Sequence, residues 1–311
     1  KNDLFIVPGN HDLKRGQTRT LLLEGIRKDN FKFAKDTVDQ LQKDFKKYKS
    51  FFKKIKNQDE DYLYKVEKRD KYNVFLMNTA FTAGTDEDDG NLMLEKNSFY
   101  DEIKQLKDQD DKINIAIGHH PVKCFVGESQ EKIWNNFNDY NIDFYLCGHL
   151  HKGAYNYELN AGRVIPTYQC GSGRVDDYAT VTFMVGELDL NTQKGKITSY
   201  KWLINEECWT IGGMDGRKAI TGEIEFALDR FQKENNSEIE NEEVNEDEFR
   251  RFMIRFHEKV KYLDDIESNI DPKDVFEKFS NMKCNKSVEK HYESLCRYFP
   301  IIDEIMDSSL L

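Results

Sequence analysis

Five of the seven histidines in this chain fall in three short clusters, Gly9-Asn10-His11-Asp12, Gly118-His119-His120-Pro121 and Gly148-His149-Leu150-His151. Each cluster directly follows a short apolar run with the look of a buried strand. A single histidine at a strand end is usually a satisfied structural residue. Three such clusters, each with a glycine ahead of the polar group, are hard to explain by core packing. Strand ends with flexible connections bring side chains from distant parts of a chain to one rim. Neutral imidazole nitrogens and an amide oxygen are donors for Zn, Mn or Fe, so the chemistry to expect is that of a metal centre.

The elements that must position these clusters can be read from apolar runs. Strands are predicted at Leu4–Val7, Asn73–Asn78, Ile113–Ile117, Ile142–Cys147, Val164–Cys170, Tyr178–Leu188 and Lys196–Ile204. The first four are separated by long helical or irregular segments, the pattern of a buried sheet with helices outside it. The last three are closely spaced, with a hairpin turn expected at Asp189–Gly195, and read as an antiparallel sheet. The fold class expected is α/β: two packed sheets flanked by helices on their outer faces, with an all-helical C-terminal extension.

Two segments depart from that frame. Phe31, Ala34, Val38, Leu41, Phe45, Tyr48, Phe52 and Ile55 are spaced 3 and 4 residues apart in alternation, a narrow helical seam. Nine Lys face three Asp between Phe31 and Lys56, which makes this a basic helical insertion, at about 29–57, in an acidic protein. It reads as a helix packed on the body with solvated lysines, as a dimer seam, or as a lid facing nucleic acid. From about residue 213 the chain is expected to be helical. One amphipathic helix is marked by Ile224, Ala227, Leu228 and Phe231, another by Phe249 to Leu263 and a third by Val288 to Phe299. An acidic linker at about 234–248 holds seven Glu and one Asp. The domains expected are thus 1–212 and 213–311.

Composition narrows the classes. A net charge of -11 argues against a protein that coats duplex nucleic acid, without excluding a local basic surface. No apolar run approaches the roughly 18 residues that span a bilayer, so no membrane partner is expected. The six cysteines are scattered with no C-x-x-C pair, which fits reduced thiols and a cytoplasmic location.

The motifs GNHD, GHHP and GHLH, in this order and after these strands, resemble the calcineurin-like metallophosphoesterase superfamily, over about residues 1–205. The resemblance implies a two-metal centre, with Mn expected first among Mn, Fe and Zn. It implies hydrolysis of a phosphoester by attack of a metal-bridging hydroxide. Asn10, His119 and His149 correspond to ligands of one metal and His151 to a ligand of the other. His11 corresponds to the residue that handles the leaving group, with Asp12 setting its orientation. His120 then lines the site without binding metal, or is structural. Asn10 and Arg174, the latter in the glycine-rich segment after Val164–Cys170, are candidates to bind substrate phosphate; an ordinary hairpin arginine is the other reading of Arg174.

The family also expects an Asp-x-His and a Gly-Asp motif ahead of GNHD, and neither occurs in these 311 residues. Asp86-Glu87-Asp88-Asp89 is an alternative carboxylate source but reads as a solvated loop. Every motif from GNHD onward is intact, so the missing ligands are expected in chain preceding Lys1, and this chain by itself is expected to be a poor enzyme. The substrate class expected is a phosphodiester, because VPGNHD and GHHP are closer to the phosphodiesterase and nuclease branches than to the protein phosphatases. That leaves a nuclease or a small or cyclic nucleotide phosphodiesterase. A degenerate relative acting as an interaction or scaffold module is the alternative, with the seam or the helical tail joining a second copy or another domain.

Overall fold

Residues 113–117 and 142–147 are apolar on both sides of the pleat, and strands of that kind are stable only when both faces of their sheet are covered. The computed structural model shows this arrangement. It describes residues 3–228 apart from 60–61, 85–87, 108, 110–111, 161–162, 174–180, 191, 213 and 215–220. These all lie in the first of two units, Lys1–Asn235. The expected helices beyond Leu228 and the acidic linker lie outside the described residues.

The larger sheet has six strands. These are β1 (Tyr64–Lys68), β2 (Tyr72–Met77), β3 (Ile113–Ile117), β4 (Ile142–Cys147), β5 (Ala154–Asn160) and β6 (Arg163–Gln169), in the order β1-β2-β3-β4-β6-β5. Strands β2, β3, β4 and β6 run parallel, and the antiparallel β1 and β5 close the two edges. The smaller sheet is antiparallel, with β7 (Thr182–Asp189), β8 (Lys194–Leu203), β9 (Cys208–Ile211) and β10 (Glu223–Ala227). Ile113, Phe144 and Tyr168 of the larger sheet meet Ile197 and Ile224 of the smaller one, forming an inter-sheet core. The opposite face of the larger sheet buries Phe75, Ala116, Tyr145 and Ile165 against the helices. The helices are α1 (Gln17–Lys28), α2 (Lys35–Lys43), α3 (Lys46–Lys56), α4 (Lys96–Ile103) and α5 (Gly127–Asp139). The outward face of the smaller sheet carries cross-strand aromatic pairs instead, with the Phe183 and Tyr200 rings stacked at 4.9 Å.

Polar residues at the starts of the parallel strands fix their register. Asn73 Nδ2 donates to Asn114 Oδ1 at 2.9 Å, and the Asn114 amide donates to Asp143 Oδ2 at 2.8 Å, all three residues being buried. A one-residue slip of β2, β3 or β4 would leave these groups unpaired, at about 1–3 kcal/mol each. The far ends of the strands are thereby held level.

Three expectations need correction. Leu4–Val7 is extended but pairs with no strand. The seam at 31–55 is not one helix: α2 ends at Lys43, α3 begins at Lys46, and Leu41, Phe45, Tyr48 and Phe52 are buried in the helix-side core. The seam therefore serves the chain's own core. Finally, Ile224 to Leu228 is not helical. Glu223–Ala227 pairs along β8 in register Ile224 with Ile197, which carries the sheet past the expected boundary at 212. The sequence there alternates Glu-Ile-Glu-Phe, a strand period hidden by the accidental helical spacing of Ile224, Ala227 and Leu228.

Candidate metal centre

The parallel strands β2, β3, β4 and β6 all end on the same rim, and ligands of open α/β sheets bind outside the carboxyl ends of such strands. Ladder bonds continue into the loops: the Gly118 amide donates to the Leu146 carbonyl at 3.0 Å, Gly148 to His119 at 3.0 Å, and Cys170 to Cys147 at 2.9 Å. The GHHP and GHLH turns are thus backbone-bonded to each other. Glycine at 118 is required by close approach. A Cβ there would lie 2.3 Å from the Tyr145 hydroxyl, which reaches across to donate to the His120 carbonyl at 2.6 Å.

The GNHD turn packs onto this pair from the N-terminal segment. Gly9 sits under the His119 ring, where a Cβ would come within 3.0 Å of it. Asn10, 8 % exposed, places its Oδ1 3.1 Å from His119 Nε2 across 109 residues of sequence. Donors bound side by side on an octahedral ion at about 2.1 Å are separated by roughly 3 Å, so this pair has the spacing of two ligands of one cation. The His149 ring lies 5.2 Å from that of His119 and 4.3 Å from that of His120. His11 is exposed, and His151 is half-buried; both act electrostatically on His119.

The Asp12 carboxylate closes the turn that carries His11: its Oδ2 accepts from the Gly9 amide at 2.9 Å, and the Asp12 amide donates back to the Gly9 carbonyl at 3.0 Å.

One nitrogen from each of His119, His120 and His149 lies within 4.8 Å of the others, so distance alone admits all three as ligands. Thr79, two residues past β2, holds two of them: its hydroxyl accepts from the His119 amide at 3.0 Å and from the His120 amide at 2.9 Å, and lies 3.2 Å from His120 Nδ1. His120 is fully buried and its Nε2 has no hydrogen-bond partner among the described residues, so Nε2 is the nitrogen this ring leaves to the cluster.

Burial and mutual repulsion keep these rings neutral. Burial, then the neighbouring His149, His11 and His151, lowers His119 to about 4. Burial, then His119 and His149, lowers His120 to about 2, with the Thr79 backbone as the smallest, opposing influence. Burial also lowers His149, opposed by the carboxylates of Asp89 and Asp88. The acidic loop is therefore not simply solvated. Asp88 is buried and accepts from the Gly84 amide with both oxygens at 3.1 Å, while Asp86 and Glu87 lie outside the described residues, as does Arg174.

A pH dependence follows. In the folded chain without metal, His119 takes a proton only near pH 4, whereas the unfolded chain takes it near 6.5. The unfolded state holds more protons between these values, so stability is full above about pH 6.5 and falls as pH drops. His119 alone should remove about 2 kcal/mol by about pH 5. Urea melts of the metal-free chain should show this loss and His119→Gln should flatten it; an unchanged slope in that variant would contradict the assignment.

The donor set fits a divalent metal: neutral nitrogens and an amide oxygen converge at ligand spacing, with two carboxylates acting on the same ring. Thr79 escaped the sequence reading, and the Asp88–Asp89 pair was named there but read as a solvated loop. Asn78-Thr79 does follow a strand, but without histidine or glycine it carries no metal signature.

The comparisons agree with this geometry. A family model described as calcineurin-like phosphoesterase matches residues 1–153, a span that contains all three histidine clusters. An uncharacterised metallophosphoesterase-like protein, YydB, of Bacillus subtilis (strain 168) is 32% identical over 99% of this chain and 67% of its own length. Among solved structures, zinc-complexed Vps29 of Entamoeba histolytica aligns with TM-score 0.24 and 15% identity, over 48% of this chain and 59% of that one. GAP50, the anchor in the inner membrane complex of Plasmodium, aligns with TM-score 0.30 and 13% identity, over 55% and 58%. The aligned region thus spans under two thirds of either solved chain.

Proposed function

We propose a function on the premise, established by the family model and the bacterial relative, that this chain belongs to the calcineurin-like phosphoesterase family. It is a metal-dependent phosphohydrolase, and its substrate is a phosphodiester. The observation that carries this reading is the meeting of Asn10 with His119 at 3.1 Å beside the His149 ring.

Asn10, His119 and His149 would hold one divalent ion and His151 a second, with Mn the first candidate. When bound, such ions supply Lewis acidity, lowering the pKa of a water and neutralising charge on phosphoryl oxygens. The residues of the chain do the rest. Because His119 and His149 are already neutral, they offer lone pairs at neutral pH without first releasing protons. His120, held by Thr79 at Nδ1, leaves Nε2 beside the other two rings. His11, on the exposed side, gives a proton to the departing oxygen. Asn10 would also orient the phosphate. Arg174 stays a candidate for a phosphate contact from the segment after β6. The scattered free cysteines fit a cytoplasmic protein; among the described residues no helix is long and apolar enough to cross a membrane.

The absence of Asp-x-His and Gly-Asp from the sequence favours a second reading, a non-catalytic module built on the same fold. Hydrolysis of bis-p-nitrophenyl phosphate by the full-length protein supplied with Mn2+, compared with EDTA, separates the two. Metal-dependent turnover supports the enzyme, and none in either condition supports the module. His11→Ala should lower turnover by at least about 100-fold on a diester with an alkoxide leaving group. The loss should be smaller with nitrophenolate, which departs without protonation; equal losses would remove His11 from the acid role.

A further inference from the structure

The segment after GNHD builds a feature that the metal chemistry does not use. Helix α3 carries six Lys and no acidic residue in eleven positions, in a chain of net charge -11. Its apolar side, Tyr48 and Phe52 with Phe45 just ahead, is buried in the helix-side core. What the helix shows to solvent is mainly its lysines, with Phe51 half exposed among them. Lys46, Lys49 and Lys53 line a groove against Asp39, Gln42 and Lys43 of α2, with a volume of about 420 Å³.

We propose that this α2–α3 groove binds the sugar-phosphate backbone of a nucleic acid, so that the diester cleaved is an internucleotide bond; the substrate assignment rests on the phosphodiester reading above, the binding surface does not. Lys46 to Lys53 spans about 10 Å of helix at 1.5 Å per residue. That length faces two or three successive phosphates of one strand. Four lysines and two aspartates, Asp39 and Asp59, line the groove, which leaves it with a net charge of +2. Asp44, at the helix junction, turns inward to the buried Arg19 at 3.0 Å. Asp59 meets Lys53 at 2.8 Å, but both side chains are mostly exposed, and such pairs are weak.

The groove is also tied to the catalytic turn. Tyr48 donates to the Ile6 carbonyl at 3.2 Å and Lys56 to the Leu4 carbonyl at 2.6 Å, on the segment that leads into GNHD. The Lys14 amide, three residues past His11, donates to the Asp44 carbonyl at 2.9 Å, between Lys43 and Lys46. The α2–α3 junction at one end of the groove is thus bonded to the chain three residues past His11.

An anionic membrane would also attract lysines, but a surface helix that binds lipid needs an apolar face to insert. Here Phe45, Tyr48 and Phe52 are buried and the one large apolar side chain α3 exposes is Phe51, too little to insert, so the groove suits a thread of charge better.

The test is binding of fluorescent oligothymidylate to the full chain in EDTA, across a salt series, which needs no metal and no turnover. Affinity should fall at least tenfold in the triple variant Lys46→Glu, Lys49→Glu, Lys53→Glu. In the milder triple Lys→Gln set, the slope of log affinity against log salt should shrink by about 2, at roughly 0.7 per lost contact. Unchanged affinity and slope in the Gln set overturn the proposal, and so does capture by phosphatidylserine vesicles without oligonucleotide binding. Hydrolysis of bis-p-nitrophenyl phosphate should be unchanged in the Gln set. If the full-length protein with Mn2+ never hydrolyses that ester but the variants still lose the oligonucleotide, the surface stands and the phosphodiester reading falls.

Discussion

The His149→Ala and His149→Gly variants should both lose divalent-metal affinity by at least about 100-fold, and should differ from each other in stability. Removing a group that merely supports a ligand costs roughly 10–100-fold in affinity, so removing a ligand costs more. The difference in stability comes from the backbone. His149 has φ 74° and His151 has φ 57°, both in the left-handed region that costs an ordinary residue roughly 1–2 kcal/mol. Glycine escapes that cost but loses about 0.5–1 kcal/mol of backbone entropy relative to alanine. The Gly variant should therefore be more stable than the Ala variant by about 0.5–1 kcal/mol in metal-free urea melts. Two histidines held in strained conformations on one four-residue turn fit a site that gives up stability to aim its side chains. Equal melts for the two variants would remove strain from the account.

Arg19→Met should destabilise the chain by about 3–5 kcal/mol, the cost of leaving buried partners of a lost charge unpaired. Arg19 is 2 % exposed and donates four ways: to the carbonyls of Ala83 at 2.6 Å, Phe81 at 2.5 Å and Leu41 at 3.3 Å, and to Asp44 at 3.0 Å. It joins α1, the α2–α3 junction and the loop that leads to Asp88. Methionine fills the volume and satisfies none of the four acceptors. Lysine keeps the charge but not the planar fork, so Arg19→Lys should recover only part of the loss. Thermal or urea melts decide it, and a cost below about 1 kcal/mol would mean that water replaces the arginine.

Arg19 also illustrates what sequence could not reveal. In QTRTLLLEG it looks like any helix arginine, because nothing local says that three carbonyls from other parts of the chain converge on it. The strands behind GHHP and GHLH were legible, since their apolar runs have one reading once both faces of a sheet are covered, whereas the run ahead of GNHD pairs with no strand. Strands β1 and β5 were missed although YKVEK alternates polar and apolar residues, because edge strands this short and polar lack the apolar run by which the others were found. β10 was misread because five residues satisfied two periods at once. Of the site, the placing of the two histidine clusters after β3 and β4 on one rim follows from their strand ends, while the grouping of Asn10 with His119 was expected from the family resemblance alone. The partner of the Asp12 carboxylate, the role of Thr79 and the burial of Asp88 depend on which backbone groups lie within reach, and only the folded chain determines that. The hold on His120 Nδ1 is of the same kind, because it comes from a threonine 41 residues away.

The most direct test of the account is equilibrium dialysis of the chain against Mn2+ at neutral pH, followed by elemental analysis, with His119→Ala alongside. The account predicts metal retained by the unmodified chain and lost in the variant, with both chains folded by circular dichroism. Retention no greater than that of His119→Ala would contradict it.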